Sequence, residues 1–194
     1  MRGSAEPARG ELEDVQGALP AAGPSGEAGG SMRFDGKGGC ARYRIPSFPE
    51  DGYAAHAWIA PASFPQGHIA QVMSAWSRPG DDPLRITIDG GKLHARIESG
   101  GRSLSTEGVP LELDRWVHVA AIKSGPKLVL YVAGVERATV AVPEVVESVS
   151  ELVGLGGNPL FGGDESFHGS IARFRLESPA PTPEEIRKMA ASPP

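Results

Sequence analysis

The sequence predicts an all-β fold: an antiparallel two-sheet β-sandwich closed by a short C-terminal helix. Three observations predict it. From Met32 onward, short runs alternate apolar and polar residues, the pattern of half-buried strands. Between the runs stand Gly, Pro and Asp turns, drawn from 26 glycines and 18 prolines. The one clear helix signal comes late, at Thr182-Pro183-Glu184-Glu185, where a Thr N-cap, a Pro in the first turn and a Glu three residues on form a capping box.

Taken in order, residues 1–31 are rich in Gly, Ala, Pro and Glu and hold no aromatic residue. They offer too little apolar surface to offset the entropy of ordering, so they read as a flexible tail or linker ahead of a domain spanning 32–194. Parts of the tail can still lie along the domain as an edge strand. Met32–Asp35 and Ala41–Ile45 alternate around the turn Gly36–Gly39. Ala55–Ile59 and His68–Trp76 are further strands, separated by the breaker Pro61–Gly67. Leu84–Ile88 and Leu93–Ile97 flank Asp89-Gly90-Gly91, a hairpin turn that supplies the positive φ such turns need. Trp116–Ile122, Leu128–Val132 and Val135–Val142 follow, joined at Ser124-Gly125-Pro126 and Ala133-Gly134. Residues 151–157 read as a short strand, 158–166 as a Gly-rich loop, Phe167–Leu176 as the last strand, and the capped helix ends near Ala191. In Leu128–Val132 both alternating sets are apolar, as in a strand covered on both faces.

Several phrases in this order resemble the laminin-G-like group of the concanavalin A-like lectin/glucanase superfamily, a jelly-roll sandwich. They are Phe34-Asp35-Gly36, Ala57-Trp58-Ile59-Ala60-Pro61, Trp116-Val117-His118-Val119-Ala120, Leu128–Gly134, and Phe167–Leu176 followed by Thr182–Ile186. The resemblance implies a binding fold and makes Trp58 and Trp116 large core residues. It also implies a departure. Where such domains often carry an Asp in the last strand that helps hold calcium, this chain has Ala172. The glucanases of the superfamily pair two glutamates on one strand. Here Glu112-Leu113-Asp114 is followed by Trp116 and Val117, so the second glutamate is missing.

Other chemistries are poorly supported. The net charge is −5, and residues 1–31 carry −3 of it, with Arg2 and Arg9 against Glu6, Glu11, Glu13, Asp14 and Glu27. A near-neutral domain lacks the basic footprint of a nucleic-acid binder. The single Cys40 permits no intramolecular disulfide and has no catalytic motif around it. His56, His68, His94, His118 and His168 fit no zinc spacing, and the first, third and fourth read as outward-facing strand residues. No run approaches the roughly 18 apolar residues of a membrane span, and Met1–Pro7 lacks an apolar signal core. The expectation is a cytoplasmic chain as it stands, or a secreted one if it is a processed fragment.

Two loops combine an aromatic residue, carboxylates and Gly: the segment 77–83 after Trp76, and the segment 158–166. An aromatic platform beside hydrogen-bonding carboxylates suits sugar recognition, so Trp76, Asp81, Asp82, Phe161 and Asp164 are the expected ligand-binding residues. Asp164 and Glu165 are the expected calcium ligands, if calcium binds. The expected function is a non-catalytic module that recognises carbohydrate or protein through rim loops. The alternative is an accessory domain or subunit of a larger enzyme complex, for example a cytoplasmic one of the amidohydrolase type.

Overall fold

The computed structural model describes residues 10–192. The strands are β1 (Glu11–Gln16), β2 (Ala18–Ala21), β3 (Ser31–Asp35), β4 (Cys40–Arg44), β5 (Tyr53–Pro61), β6 (Ala70–Ser74), β7 (Asp82–Asp89), β8 (Lys92–Ser99), β9 (Arg102–Ser105), β10 (Val109–Pro110), β11 (Val117–Ser124), β12 (Lys127–Val132), β13 (Val135–Ala141), β14 (Leu152–Leu155) and β15 (His168–Glu177), followed by helix α1 (Pro183–Ala191). They build two antiparallel sheets. One runs β1-β4-β14-β6-β7-β8-β10, with β9 paired to β8 as its eighth strand; the other runs β13-β12-β11-β5-β15-β3-β2.

The two-residue period decides what each face buries. On β5, Tyr53, Ala55, Ala57 and Ile59 enter the core between the sheets, opposite Leu84, Ile86 and Ile88 of β7 and their neighbours. The outer faces differ sharply. That of the seven-stranded sheet carries an apolar patch: Ala54, Ala120, Ile122 and Tyr131 form a second cluster sealed by Ile186 of α1. The helix starts where the capping box predicts, with Thr182 as N-cap and Glu185 bonding back to it. Its last turn reaches the β12–β13 turn, where a Cβ on Gly134 would lie 2.9 Å from Ala190 Cβ. The outer face of the eight-stranded sheet is polar and carries no helix. On β4, β6, β7 and β8 the core-facing residues alternate with Arg42, Gln71, Arg85, Thr87, His94, Arg96 and Glu98.

From Gly10 onward the expected flexible tail or linker instead takes the edge-strand form that the sequence also allowed; residues 1–9 lie outside the described residues. β1 pairs with β4 and β2 with β3, so residues 11–21 and 31–44 form one long antiparallel hairpin. It folds across both sheets where Gly17 and Gly39 meet backbone to backbone, since a Cβ on Gly17 would lie 2.8 Å from Gly39 Cα. The segment adds an edge to each sheet. Composition hid this because β1 buries almost nothing: its pattern is exposed throughout except at Asp14. It is held by backbone ladders and by ion pairs, Arg42 to Asp14 and Arg44 to Glu13. β9 and β10 escaped the periodicity for a similar reason. They are short and carry few apolar residues, and pairing to β8 defines them.

Trp58, His56 and His118 correct the expectation in another way. Trp58 is buried, but on the outer face of its sheet rather than in the main core. His56 and His118 do face outward, yet both are buried, His118 with only 1% of its surface exposed. Their rings lie tilted to each other at 44°, with centroids 5.5 Å apart, and Trp58 meets His118 edge-on at 5.7 Å.

Candidate functional site

The polar outer face of the eight-stranded sheet holds a cleft of about 380 Å³. Its floor comes from alternate positions of adjoining strands: Arg42 from β4, Gln71 from β6 and Arg85 from β7. One wall is Gln16 at the end of β1; the other is the loop after β14, with Asn158, Phe161, Glu165 and Ser166. Trp76, just past β6, stands at the loop's tip. Trp76 and Phe161 form an edge-to-face pair, with centroids 5.0 Å apart and planes at 65°. Phe161 remains 60% exposed, so the pair presents an aromatic surface to the cleft and to solvent.

Local interactions fix this loop. Asn158 Oδ1 accepts the backbone N–H groups of Leu160 and Phe161, an Asx turn that aims the Phe161 ring. Close backbone approach under the loop excludes side chains: a Cβ on Gly154 would lie 2.6 Å from Gly157 O and 3.0 Å from Cys40 Sγ. Ser166 hydroxyl accepts Gly38 N–H at 2.8 Å and donates to Gly163 O, tying the loop to the β3–β4 turn. Cys40 lines the floor, but burial pushes its thiol up to about 11, so it is an inert thiol at neutral pH.

The polar groups are mostly committed. Arg42 Nε donates to Asp14 Oδ1, and a second nitrogen of Arg42 donates to Asp14 Oδ2. The Arg42 guanidinium holds the Asp14 carboxyl below the usual range. Arg85 donates to Asp82 and, at 3.1 Å, to Glu98, which also accepts from Arg96 at 2.9 Å. Burial pushes Asp82 up to about 6, against the pull of Arg85. Gln71 donates to Glu165, but its own Oε1 is fully buried with no hydrogen-bond partner among the described residues.

Of the expected ligand residues, the structure brings Trp76 and Phe161 together; Asp164 is exposed in the same loop as Phe161 but does not line the cleft. Asp81 and Asp82 are not on the cleft surface. Asp81 is turned toward the loop before β14, where its Oδ2 accepts Val149 N–H at 3.1 Å. Asp82 is fully buried and serves as counter-ion to Arg85. The sequence reading missed Arg42, Gln71, Arg85 and Asn158. The signal was present: a Gln or Arg at the outward position of an otherwise apolar strand, as in Ala-Gln-Val-Met-Ser and Leu-Arg-Ile-Thr-Ile.

For calcium, Asp164 and Glu165 are adjacent in an exposed loop, and Glu165 is engaged with Gln71. No three His, Cys, Asp or Glu side chains converge among the described residues. Calcium takes six to eight oxygens, carboxylates among them, and this donor set falls short of that. A larger opening of about 700 Å³ lies along one side of the sandwich. It is lined by Tyr43, Ile45, Val153, Phe174 and Leu176 at the margin of the inter-sheet core, together with Arg173, Arg175 and Glu177.

The profile of the concanavalin A-like lectin/glucanases superfamily, in its laminin-G form, matches residues 35–187. The chain belongs to this family. No curated protein matches it in sequence. Among solved structures, domain 4 of an extracellular arabinanase from Geobacillus stearothermophilus, solved with arabinotriose, is 18% identical with a TM-score of 0.65, over 89% of this chain and 81% of that one. The mouse laminin α1 chain, domains LG4-5, is 18% identical with a TM-score of 0.63, over 75% of this chain and 40% of that one. The botulinum neurotoxin serotype D binding domain is 12% identical with a TM-score of 0.67, over 95% of this chain and 46% of that one. This chain therefore spans less than half the length of the laminin and toxin structures. At such identities the likeness is one of fold.

Proposed function

We propose that this laminin-G-like domain is a non-catalytic binding module that takes a saccharide in the cleft beneath Trp76 and Phe161. One observation carries the reading: half-buried Trp76 and exposed Phe161 pair beside a cleft lined by Arg42, Arg85 and Gln71. Ligand sites commonly combine an apolar platform with a few convergent polar groups. A sugar ring presents both kinds of surface, C–H groups for the aromatic rings and hydroxyls for the amide and guanidinium groups. The shared fold with an arabinanase domain solved with arabinotriose is in keeping with this reading.

Affinity electrophoresis across a panel of soluble polysaccharides tests it. Retardation by at least one polysaccharide is expected, and Trp76→Ala should abolish it without loss of fold. Silence across a broad panel, or retention by the variant, would refute the saccharide reading. A second reading, docking onto a larger assembly, draws on the exposed Leu12, Val15 and Leu19 along the edge strands. Co-purification of another polypeptide from the native source, lost on Leu19→Glu, would support it.

A further inference from the structure

Resting on that saccharide reading, we propose that the cleft selects neutral over anionic ligands. Asp14 of the N-terminal edge strand sets this selectivity by neutralising Arg42. Two cations line the cleft, Arg42 and Arg85. A free guanidinium there would make an anion site, because its forked N–H groups match carboxylate, sulfate and phosphate. Neither guanidinium is free. Asp14 takes two nitrogens of Arg42, while Asp82 and Glu98 take two of Arg85. Glu165 adds a further carboxylate at the rim. An incoming anion would have to displace a carboxylate or sit beside one in a partly enclosed site.

The groups that remain suit a hydroxyl. Each arginine keeps N–H donors beyond those its carboxylates take, whereas Gln71 is closed off, its Nε2 given to Glu165 and its Oε1 fully buried. A sugar hydroxyl both donates and accepts, so it can take an arginine N–H and donate to the Glu165 carboxylate at the rim. The two ion pairs differ in origin. Asp82 is fully buried and lies three residues from Arg85 on the same strand, so that pair is built into the sheet. Asp14 comes from β1, whose side chains are otherwise exposed, and reaches Arg42 across the β1–β4 ladder. The ligand class is therefore decided by a strand that adds little to the core. Neighbouring Glu13 pairs instead with Arg44, which does not line the cleft.

The test is titration of the full chain with sodium sulfate at constant ionic strength, followed by amide and side-chain NMR shifts around Arg42 and Gln71. Asp14→Asn should bind sulfate roughly tenfold or more tightly than wild type, as for loss of one charge-assisted pair. Glu13→Gln should behave as wild type, and adding Arg42→Gln to Asp14→Asn should remove the gain. If Asp14→Asn also loosens β1, Arg42 is freed all the same and the gain is still required. Wild type binding sulfate as tightly as Asp14→Asn would overturn the inference, as would an Asp14→Asn protein with no gain. Sulfated and unsulfated forms of one oligosaccharide separate this from the parent reading. A wild type that binds only the sulfated form sinks the inference and leaves saccharide binding standing. A wild type that binds neither, yet excludes sulfate through Asp14, sinks the saccharide reading and leaves the anion exclusion in place.

Discussion

Acid should weaken this sandwich through the buried pair His56 and His118, and one substitution should remove much of the effect. His118 is buried with neither ring nitrogen hydrogen-bonded among the described residues. Burial, and then the neighbouring His56, lower it from 6.5 to about 4. His56 is lowered too, by burial first; Glu177, with Oε2 3.6 Å from its Nε2, works against this, and Arg175 adds to it. The folded chain thus binds these protons less readily than the unfolded chain. The stability linked to His118 is complete above pH 6.5 and is lost as pH falls toward 4. From those two values the loss at pH 5 is about 2 kcal/mol relative to pH 7.

Asp82 works in the opposite direction. Its folded value of about 6 lies above its ordinary 3.8, so its burden on stability is relieved as pH drops through 6. The net pH dependence of the wild type is therefore a poor readout, and the comparison with His118→Phe is the sharp one. Urea unfolding followed by tryptophan fluorescence gives stability at each pH. Between pH 7 and pH 5, wild type should lose about 2 kcal/mol more than His118→Phe. Parallel pH profiles for the two proteins would refute the argument, whatever their absolute stabilities.

Three further outcomes follow from the geometry. Gly156→Ala should destabilise the domain by on the order of 3 kcal/mol in urea melts, because φ is +79° and the added Cβ would lie 2.3 Å from the buried Phe34 ring. Thr182→Ala should cost about 1 kcal/mol, since Thr182 hydroxyl accepts Glu185 N–H at the start of the one helix that covers the outer apolar cluster; Thr182→Ser, which keeps the hydroxyl, should restore most of it. Calcium at 1 mM should stabilise the chain by less than about 0.4 kcal/mol, the value for a site half-filled at that concentration. A larger rise in thermal midpoint, lost on Asp164→Asn, would reinstate the metal at Asp164 and Glu165.

Much of the architecture was legible in the chain because it rests on local rules. Asp89-Gly90-Gly91 between two alternating runs signals a hairpin, and Thr182 to Glu185 closes a capping box with four residues alone. Period-two patterning put Leu128, Leu130 and Val132 on one face and Val129 and Tyr131 on the other, both covered, as observed. The tail was legible only as a segment that could form an edge strand, without bounds or partner, because the stability of its strands is not local. Glu11–Gln16 buries little, and its order comes from pairing with a strand some thirty residues on, so no window of sequence contains the cause.

The site divides along the same line. Sequence alone singled out Trp76 and Phe161 as aromatic residues in polar, Gly-rich loops, and it determined the family through the ordered strand phrases. That these rings meet at 5.0 Å over Arg42, Gln71 and Arg85 was decided by the tertiary structure, because the strand order β4-β14-β6-β7 sets side by side residues remote in the chain. The same packing withdrew Asp81 and Asp82 from the expected surface and brought Asp14 onto Arg42. A carboxylate's role depends on which cation the fold sets beside it and how much water remains, and neither is written in its neighbours along the chain.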